Sequence, residues 1–366
     1  MMLAYCRNPT WLSSPTKQPD PELIERIYLS HGSTANAFSA AFDTDLCRHV
    51  TPGQDGFVSF ARRPSLGIIA VFFDPVCADD DLPRVIDDFL ATYRPLGRIA
   101  FWKVSASTAS VLTERGYKTA RYGLDNDCPL PINLRGSRLR SLRREVDAAR
   151  RAGVTIQTLD PSSQEEPWNA LAQINTNWLA TRARRTEIRR ATRRCPLRHE
   201  AHCTKLVARR ADGRIIGWAA FDHIYRGGRL IGGGMSTVRW TPRAAPGVAA
   251  LLAIDGATLL QQSAAADGEG GPFVLALGES PLTIEPNDRR LSDMAFADVE
   301  LPAGACRSIS LERLFRVLYR FGGAVYNTKG ITTWKRKWRA EQRWMYCAVE
   351  GKQPLRETLA VVSLVL

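Results

Sequence analysis

The stretch RIIGWAAFDHIYRGGRLIGGGMSTVRW, residues 214–240, contains two long apolar runs, one directly after the other. Their length and composition predict two strands, RIIGWAAFDHIY and GRLIGGGMSTVRW. A shorter strand, KLVARR at 205–210, precedes them, and a helix over 248–262 and a strand PFVLALG at 272–278 follow. The predicted order is therefore three strands, one helix and one further strand.

The first half of the chain has a similar alternation. Strands are expected at GFVSFAR (56–62), GIIAVFF (67–73) and RIAFWKV (98–104), and a helix with one apolar face is expected over 81–93. The second α/β run begins with a strand near 154–159. Its first helix carries the apolar residues Trp168, Leu171, Ile174, Trp178 and Leu179.

This order of elements indicates the fold class. Antiparallel strands followed by a helix between the last major strands suit the fold of GCN5-related acyltransferases. At 366 residues the chain is longer than one core usually supports. We therefore predict an α/β (α+β) protein of two tandem GCN5-related acyltransferase-like domains, 1–136 and 153–366, joined by an Arg-rich linker helix at 137–152.

The charge balance indicates a polyanionic partner. Lys plus Arg number 50 against 37 Asp plus Glu, so the surface should attract phosphates or anionic lipid headgroups. The eight cysteines lack paired spacing and the N-terminus lacks the apolar core of a secretory signal. The apolar runs 66–73 and 359–366 are shorter than the ~20 residues that span a bilayer. We expect a cytoplasmic protein without a transmembrane segment, or one resting peripherally on the inner membrane surface.

Three basic clusters, 135–151, 182–198 and 329–343, contain 21 of the 50 cationic side chains. Arginine predominates and few acids interrupt it, which suits bidentate phosphate contacts. Binding of nucleic acid or phosphate is one hypothesis, and solvated helix faces are the other. The last cluster also carries aromatic residues, which suit either base stacking or core packing in a helix or a strand. These are Trp334, Trp338, Trp344 and Tyr346.

Two cofactor classes are disfavoured by local sequence. The ligand types at Cys195, His199, His202 and Cys203 would suit zinc, but paired Cys-x-x-Cys spacing is missing, and a helical turn with buried cysteines and surface histidines explains them as well. Acetyl-CoA needs backbone N–H donors at a helix N-terminus, and Pro246 removes one from the nearest candidate loop. No P-loop or dinucleotide fingerprint is present. We expect no metal and no cofactor.

Short motifs then occur in a recognisable order. They are FFDPV (72–76), GSRLRSLRREVDAARRAGV (136–154), NWL (177–179), APGV (245–248), LGESPL (277–282) and YNTKGITTWKRKW (326–338). In this order they resemble the catalytic domain of phosphatidylglycerol lysyltransferases over about residues 55–360. The resemblance implies transfer of an aminoacyl group from aminoacyl-tRNA, as co-substrate, to a hydroxyl of a lipid such as phosphatidylglycerol.

Two alternatives remain beside that function. The membrane flippase portion of the family is missing from this sequence, and related stand-alone proteins use other acceptors. The first alternative therefore keeps the aminoacyl-tRNA donor and takes a soluble small-metabolite amine or hydroxyl as acceptor. The second is a non-catalytic nucleic-acid-binding protein on the same scaffold.

The resemblance also implies the site residues. An aminoacyl ester is already activated, so the site must orient the acceptor, move its proton and stabilise an oxyanion. We expect the strands GGGMSTVRW and LALGESPL to splay apart and admit the donor. The expected catalytic residues are Glu279, Arg239 and Lys337. The expected donor-binding residues are Ser236, Gly278, Ser280, Lys335 and Tyr346, and the expected tRNA-binding residues are Arg140, Arg143, Arg144, Lys329 and Arg336.

Two departures from the family pattern fall in the expected donor pocket. Ser236 stands where the family commonly has Asp, and Glu279 stands where it has Met. Both changes alter the charge that a bound aminoacyl group would meet. We therefore expect aminoacyl transfer, as in the family, but we do not expect lysine in particular to be the transferred amino acid.

Overall fold

A computed structural model describes residues 18–162, 165–182, 190, 193–266, 268, 271–283, 307–322, 327–351 and 354–365. The strands within these ranges are β1 Cys47–Val50, β2 Phe57–Arg63, β3 Ile68–Phe72, β4 Arg98–Val104, β5 Lys118–Pro129, β6 Thr155–Thr158, β7 Cys203–Arg209, β8 Ile215–Arg226, β9 Arg229–Trp240, β10 Val274–Ala276, β11 Ser280–Pro281 and β12 Glu341–Val349.

The helices within the same ranges are α1 Pro21–His31, α2 Ala37–Phe42, α3 Leu82–Tyr93, α4 Ala106–Glu114, α5 Arg140–Arg151, α6 Glu165–Ala180, α7 Val248–Ala266, α8 Ile309–Phe321, α9 Thr328–Arg336 and α10 Pro354–Val365. Helices α1 and α9 each begin next to a residue whose side chain caps the helix N-terminus. Asp20 caps α1 by accepting from Glu22 N–H, and Asn327 caps α9 by accepting from Gly330 N–H.

The strands form one continuous mixed sheet in the order β1-β2-β3-β4-β12-β5-β10-β9-β8-β7-β6, with β11 paired to β5. Strand β12, from the C-terminal part of the chain, lies between β4 and β5, where Cys347 pairs with Trp102 on one side and with Ala120 on the other. The pairs β3–β4 and β9–β10 are parallel. The two sequence halves therefore share one sheet.

Most of the predicted elements are confirmed. Strand 98–104 and the helix over 81–93 are found within one residue of the expected bounds, and the Arg-rich linker is helix α5. Strand β10 is shorter than the expected 272–278, because the chain turns away at Gly278, whose φ is +73°. The tandem duplication and the boundaries at 136/137 and 152/153 stay predictions.

One local explanation is wrong. Residues 193–202 form no helical turn, and Cys203 begins β7. In the C-terminal part the structure has the strand β12, with α9 before it and α10 after it. Strand β12 pairs with β4 and β5, which belong to the first half of the chain.

Helix α5 packs closely against the start of α7. Leu142 and Val146 of α5 are buried with Val248 of α7 in one apolar cluster. Gly247 has a φ of +87°, and a Cβ atom at this position would lie 1.9 Å from the carbonyl oxygen of Glu145. Only glycine fits here without moving α5, which explains Gly247 in the turn before α7.

Helix α7 is the one described helix whose length and apolar composition would allow it to cross a membrane. More than half of its apolar window is buried against the rest of the protein, including β9 and α5. A buried core helix meets the same criteria, so this is weak evidence for a membrane span.

Candidate active site

The sheet opens between β9 and β10. Strand β10 pairs with both β9 and β5 through Ala276, and after Leu277 the chain pairs only with β5, through β11. On the other side of the gap β9 continues through Met235 and Ser236, where its pairing with β8 shifts register. This is the separation of strands that the sequence predicted.

A pocket of about 480 Å³ occupies the opening and extends over the ends of β3 and β4. Helices α8 and α10 supply apolar side chains to its wall, among them Phe315 and Val361. The charged and hydroxyl groups of the lining that bear on the chemistry are few. They are Lys103, Arg193, Asp222, Ser236, Glu279 and Lys335.

The carboxylate of Glu279 lies at the centre of one polar group. Its Oε1 atom is 2.9 Å from the Nζ of Lys103 and accepts a hydrogen bond of 3.0 Å from the amide of Asn36. Lys103 and Glu279 are both almost fully buried. A buried carboxylate needs such partners, because moving an unpaired charge from water into the protein interior costs roughly several kcal/mol.

Lys335 completes this group from α9. Its Nζ donates a 2.5 Å hydrogen bond to the backbone carbonyl of Glu279. Burial lowers the pKa of Lys335 to about 8; the carboxylates of Asp125 and Glu279 act in the opposite sense, and the charge of Lys103 lowers it further. Lys335 is therefore poised to exchange a proton near physiological pH.

Two residues at the strand ends are held in a strained backbone conformation. Phe73 has a φ of 72° and Lys103 a φ of 62°, although neither is glycine. Phe73 directly follows β3, and Lys103 is the second-last residue of β4, the parallel neighbour of β3. The Nζ of Lys103 lies 4.8 Å from the centre of the Phe73 ring. Such conformations cost ~1–3 kcal/mol each and concentrate at functional sites, where they aim side chains.

A second polar group lines the pocket from β8. Arg193 Nε lies 2.7 Å from Asp222 Oδ2, and Arg193 also donates to Glu200. Burial raises the pKa of Asp222, and the charge of Arg193 opposes that shift. Hydrogen bonds from Ser236 and Cys203 to the Asp222 carboxylate also oppose the rise in its pKa.

Four of the predicted site residues meet in this pocket. Glu279, Lys335, Ser236 and Gly278 all line it. The left-handed Gly278 brings its backbone close to the Lys335 ammonium, since a Cβ there would lie 3.8 Å from Nζ. Their roles in catalysis and donor binding stay predictions.

Two predicted donor-binding residues, Ser280 and Tyr346, and the predicted catalytic residue Arg239 lie outside the lining. Ser280 is buried and accepts from the amide of Asn126, which also donates to the carbonyl of Gly278. Tyr346 is buried in the core between the sheet and α3–α4. Arg239 stacks on Trp178 at 3.8 Å and donates to Asn175, both on α6. Ser280 thus positions the 278–280 loop.

Lys337 lies outside the pocket lining and contacts α5, the helix of the predicted tRNA-binding arginines. The Nζ of Lys337 is 2.5 Å from Glu145 Oε1, and Trp338 is buried beside Leu142 and Val146. Helix α9 thereby joins the pocket, through Lys335, to α5. Core packing was one expected fate of the tryptophans, and for Trp338 it is confirmed.

The predicted tRNA-binding side chains differ in their surroundings. Arg140 and Arg144 are exposed, whereas Arg143 donates to the carbonyls of Leu134 and Gly136 and so holds the preceding loop. Arg336 is half-buried at the end of α9. Lys329 lies at the opposite end of α9, where it donates to the Arg320 carbonyl of α8.

Lys103, Arg193, Asp222 and Asn36 were not predicted as site residues. Lys103 and Asp222 are single charges inside otherwise apolar predicted strands, and that signal was present in the sequence. Asn36 and Arg193 carry no such signal, because only the tertiary fold brings their segments to the pocket.

The Cys and His side chains of 195–203, whose types would suit zinc, make other contacts. His202 bonds to Glu25 and to the hydroxyl of Tyr225, and Cys203 is buried. No group of three or more metal-ligating side chains is found within the described ranges.

Comparison with known proteins assigns this chain to a family. The family described as phosphatidylglycerol lysyltransferase, C-terminal, matches residues 25–266. The chain has the fold of L-PGS from Bacillus licheniformis, with a TM-score of 0.70 at 19% identity over 96% of this chain and 98% of that one. No curated protein sequence matches.

Two further structures share the fold. The C-terminal domain of a putative lysylphosphatidylglycerol synthetase from Agrobacterium fabrum has a TM-score of 0.69 at 20% identity, covering 94% of this chain and 95% of that one. FemX has a TM-score of 0.51 at 9% identity, covering 94% and 99%. These likenesses confirm the predicted α/β acyltransferase-type fold. With two thirds of its length matched by the family, the chain belongs to the phosphatidylglycerol lysyltransferase C-terminal family and is a transferase of that type.

Proposed function

We propose that this protein transfers an aminoacyl group from aminoacyl-tRNA to a hydroxyl of a lipid such as phosphatidylglycerol. The observation that carries the proposal is the buried group of Glu279, Lys103 and Lys335 in a pocket whose wall is otherwise largely apolar. The polar group suits an aminoacyl ester, and the apolar wall formed by α8 and α10 suits a lipid acceptor better than a soluble metabolite.

The chemistry requires no covalent enzyme intermediate. The acceptor oxygen forms a bond to the aminoacyl carbonyl carbon, the bond from that carbon to the ribose oxygen breaks, and the acceptor proton passes to the ribose oxygen. In this proposal Glu279 holds the α-ammonium of the donor. Lys335 and Lys103 stabilise the negative charge that develops on the carbonyl oxygen, which preorganised cations do effectively in a buried site.

Helix α9 supports a route for the tRNA end. One side of α9 presents Lys335 to the pocket, and its C-terminal end contacts the Arg-rich helix α5 through Lys337 and Trp338. We place the terminal phosphates along α5, where Arg140 and Arg144 are exposed. Arginine contacts to phosphate position a nucleic acid without reading its bases.

The charge balance of the pocket bears on the donor amino acid. The described lining contains three cations, Lys103, Arg193 and Lys335, and two carboxylates, each within 3 Å of a cation. A lysyl group would bring two ammonium groups into this setting. We therefore propose a donor whose side chain is neutral or acidic.

A panel of charged tRNAs tests the function. The full chain is incubated with alanyl-, aspartyl- or lysyl-tRNA, each labelled in the amino acid, and with phosphatidylglycerol vesicles. We expect ribonuclease-sensitive label in the organic phase, with lysyl-tRNA the poorest donor. Label in an aqueous product would assign a metabolite acceptor, and label that stays on every tRNA would leave only nucleic-acid binding.

A further inference from the structure

Helix α8 exposes an apolar strip to solvent. Val317, Leu318 and Phe321 are exposed, Phe321 to 70%, whereas Leu311 and Phe315 are buried. Since residues three or four apart share a helix face, the exposed three form one strip along the last turns of α8. Leu318 also lines the pocket. The exposed apolar surface therefore continues into the candidate site.

Helix α10 adds a second strip of the same kind. Leu355 and Leu359 are exposed, and Val362, on the same face at i+3 from Leu359, lines the pocket. Helices α8 and α10 contact each other. The two strips thus border the pocket from neighbouring helices.

A stripe of arginines runs beside the apolar strip of α8. Arg313, Arg316 and Arg320 are exposed and spaced three and four residues apart. The guanidinium of Arg320 lies 5.4 Å from the ring centre of Phe321. Glu312, the described carboxylate of α8, is already held by Arg307 and lies 4.0 Å from Arg316. Exposed apolar residues flanked by arginines are typical of helices that lie in a membrane interface.

We propose that α8 and α10 dock on the surface of an anionic bilayer. Phe321, Val317 and Leu359 enter the boundary between headgroups and acyl chains, and the three arginines contact lipid phosphates. The acceptor lipid then reaches the pocket past Leu318 and Val362. This last step rests on the proposed function, whereas the docking itself does not.

Charge favours a bilayer over a second copy of the chain as the occupant. A two-fold contact across α8 would bring the arginine stripes of both copies together, and like charges at a shared interface repel. An anionic lipid surface instead neutralises Arg313, Arg316 and Arg320. The net charge of +13 attracts the whole chain to such a surface.

Flotation with lipid vesicles tests the docking in the absence of tRNA. The full chain is mixed with phosphatidylglycerol vesicles or with phosphatidylcholine vesicles. The apolar variant is F321S/L359S, and its matched control is L66S/L96S, which changes two exposed leucines elsewhere. The charge variant is R313Q/R316Q/R320Q, and its control is R210Q/R214Q/R226Q, which changes three exposed arginines at the ends of β7 and β8. Thermal unfolding establishes that each variant is folded.

We expect binding to phosphatidylglycerol only, weakened about 10-fold or more by the apolar variant and on the order of 100-fold by the charge variant. The controls should bind within about threefold of wild type. Equal binding to both lipids, equal losses in variant and control, or a dimer that F321S/L359S abolishes would overturn the docking.

Transfer assays separate this inference from the proposed function. F321S/L359S should lose transfer to vesicles and retain transfer to a short-chain phosphatidylglycerol dissolved below its micellar concentration. Retention of both transfers would count against docking as the route of the acceptor. Absence of transfer to any acceptor, with vesicle binding intact, would refute the function and leave the docking standing.

Discussion

The ammonium of Lys103, at the end of β4, lies 2.9 Å from the carboxylate of Glu279, which follows β10 almost 180 residues later in the chain. Both side chains are almost fully buried. Removal of either partner leaves the other charge buried without its ion-pair partner. This pair should therefore couple the two parts of the chain energetically as well as chemically.

Lys103→Met and Glu279→Gln should each destabilise the protein by about 3–5 kcal/mol. In the double variant no charge is left unpaired, so its loss should be smaller than the sum by ~1–3 kcal/mol. Urea unfolding of the four proteins measures this coupling. The exposed pair Arg84–Asp55 is the control, and its coupling should be much smaller because water screens it. Equal coupling in the two cycles would contradict the burial argument.

Transfer should depend on pH through Lys335. Its pKa is lowered to about 8, so the ammonium is present below that value and lost above it. If Lys335 stabilises the oxyanion as a cation, kcat/KM should fall above about pH 8. Lys335→Arg should move this decline to higher pH, because a guanidinium stays protonated. Lys335→Met should lose about 100-fold below pH 8 and should show no such decline, so its deficit relative to wild type shrinks above pH 8.

Two controls apply to that profile. Initial rates are corrected for spontaneous hydrolysis of the aminoacyl ester, which also rises with pH. Lys118→Arg, at the start of β5 and outside the described pocket lining, should leave the profile unchanged. A rate that instead increases through pH 8 would show that neutral Lys335 acts as a base.

The local elements were predictable, whereas the pairing of distant ones was not. The strand over 98–104 follows from its own apolar run, and the splay near Glu279 follows from the motif order. The insertion of β12 between β4 and β5 depends on contacts hundreds of residues apart, which no local period encodes. The left-handed φ of Lys103 likewise opposes local preference and is imposed by tertiary packing.

The same distinction applies to the candidate site. Glu279 and Lys335 were predicted because the family motifs contain their positions. Asp222 was missed. It lies on β8, and the neighbouring strand β9 carries Ser236, at which position the family commonly has an acid. The carboxylate of Asp222 lines the pocket from β8, beside Ser236 of β9, and this proximity depends on the pairing of the two strands.

Acid should destabilise the protein through His223. Burial, together with the nearby His202, lowers the pKa of His223 to about 4 from an ordinary value of 6.5. Below about pH 6.5 the unfolded chain therefore binds a proton at His223, whereas the folded chain binds it only below about pH 4. The contribution of His223 to stability is complete above 6.5 and is lost as the pH falls through this window, by roughly 3 kcal/mol at most.

His223→Gln should flatten that dependence between pH 6.5 and 4, although it lowers stability at neutral pH because Thr204 and Tyr225 lose their ring-nitrogen partner. Urea unfolding at several pH values measures the slope. His199→Gln changes an exposed histidine and should keep the wild-type slope. An unchanged slope in the His223 variant would assign the acid sensitivity to other groups.

Gly247→Ala should reveal how closely α7 must approach α5. The added Cβ would lie 1.9 Å from the Glu145 carbonyl oxygen, at a residue whose φ of +87° already disfavours a side chain. Gly213→Ala is the matched control, because its φ is +83° and no atom lies within 4 Å of the new Cβ. The control should lose about 1 kcal/mol of unfolding free energy from backbone strain alone, and Gly247→Ala should lose ~3 kcal/mol or more, since α5 must move.

The movement of α5 in Gly247→Ala also displaces Glu145 from Lys337, so tRNA binding, measured by filter retention, should weaken in this variant and not in the control. Equal losses of stability in the two variants would mean that α5 yields without cost and that the glycine serves only its own turn.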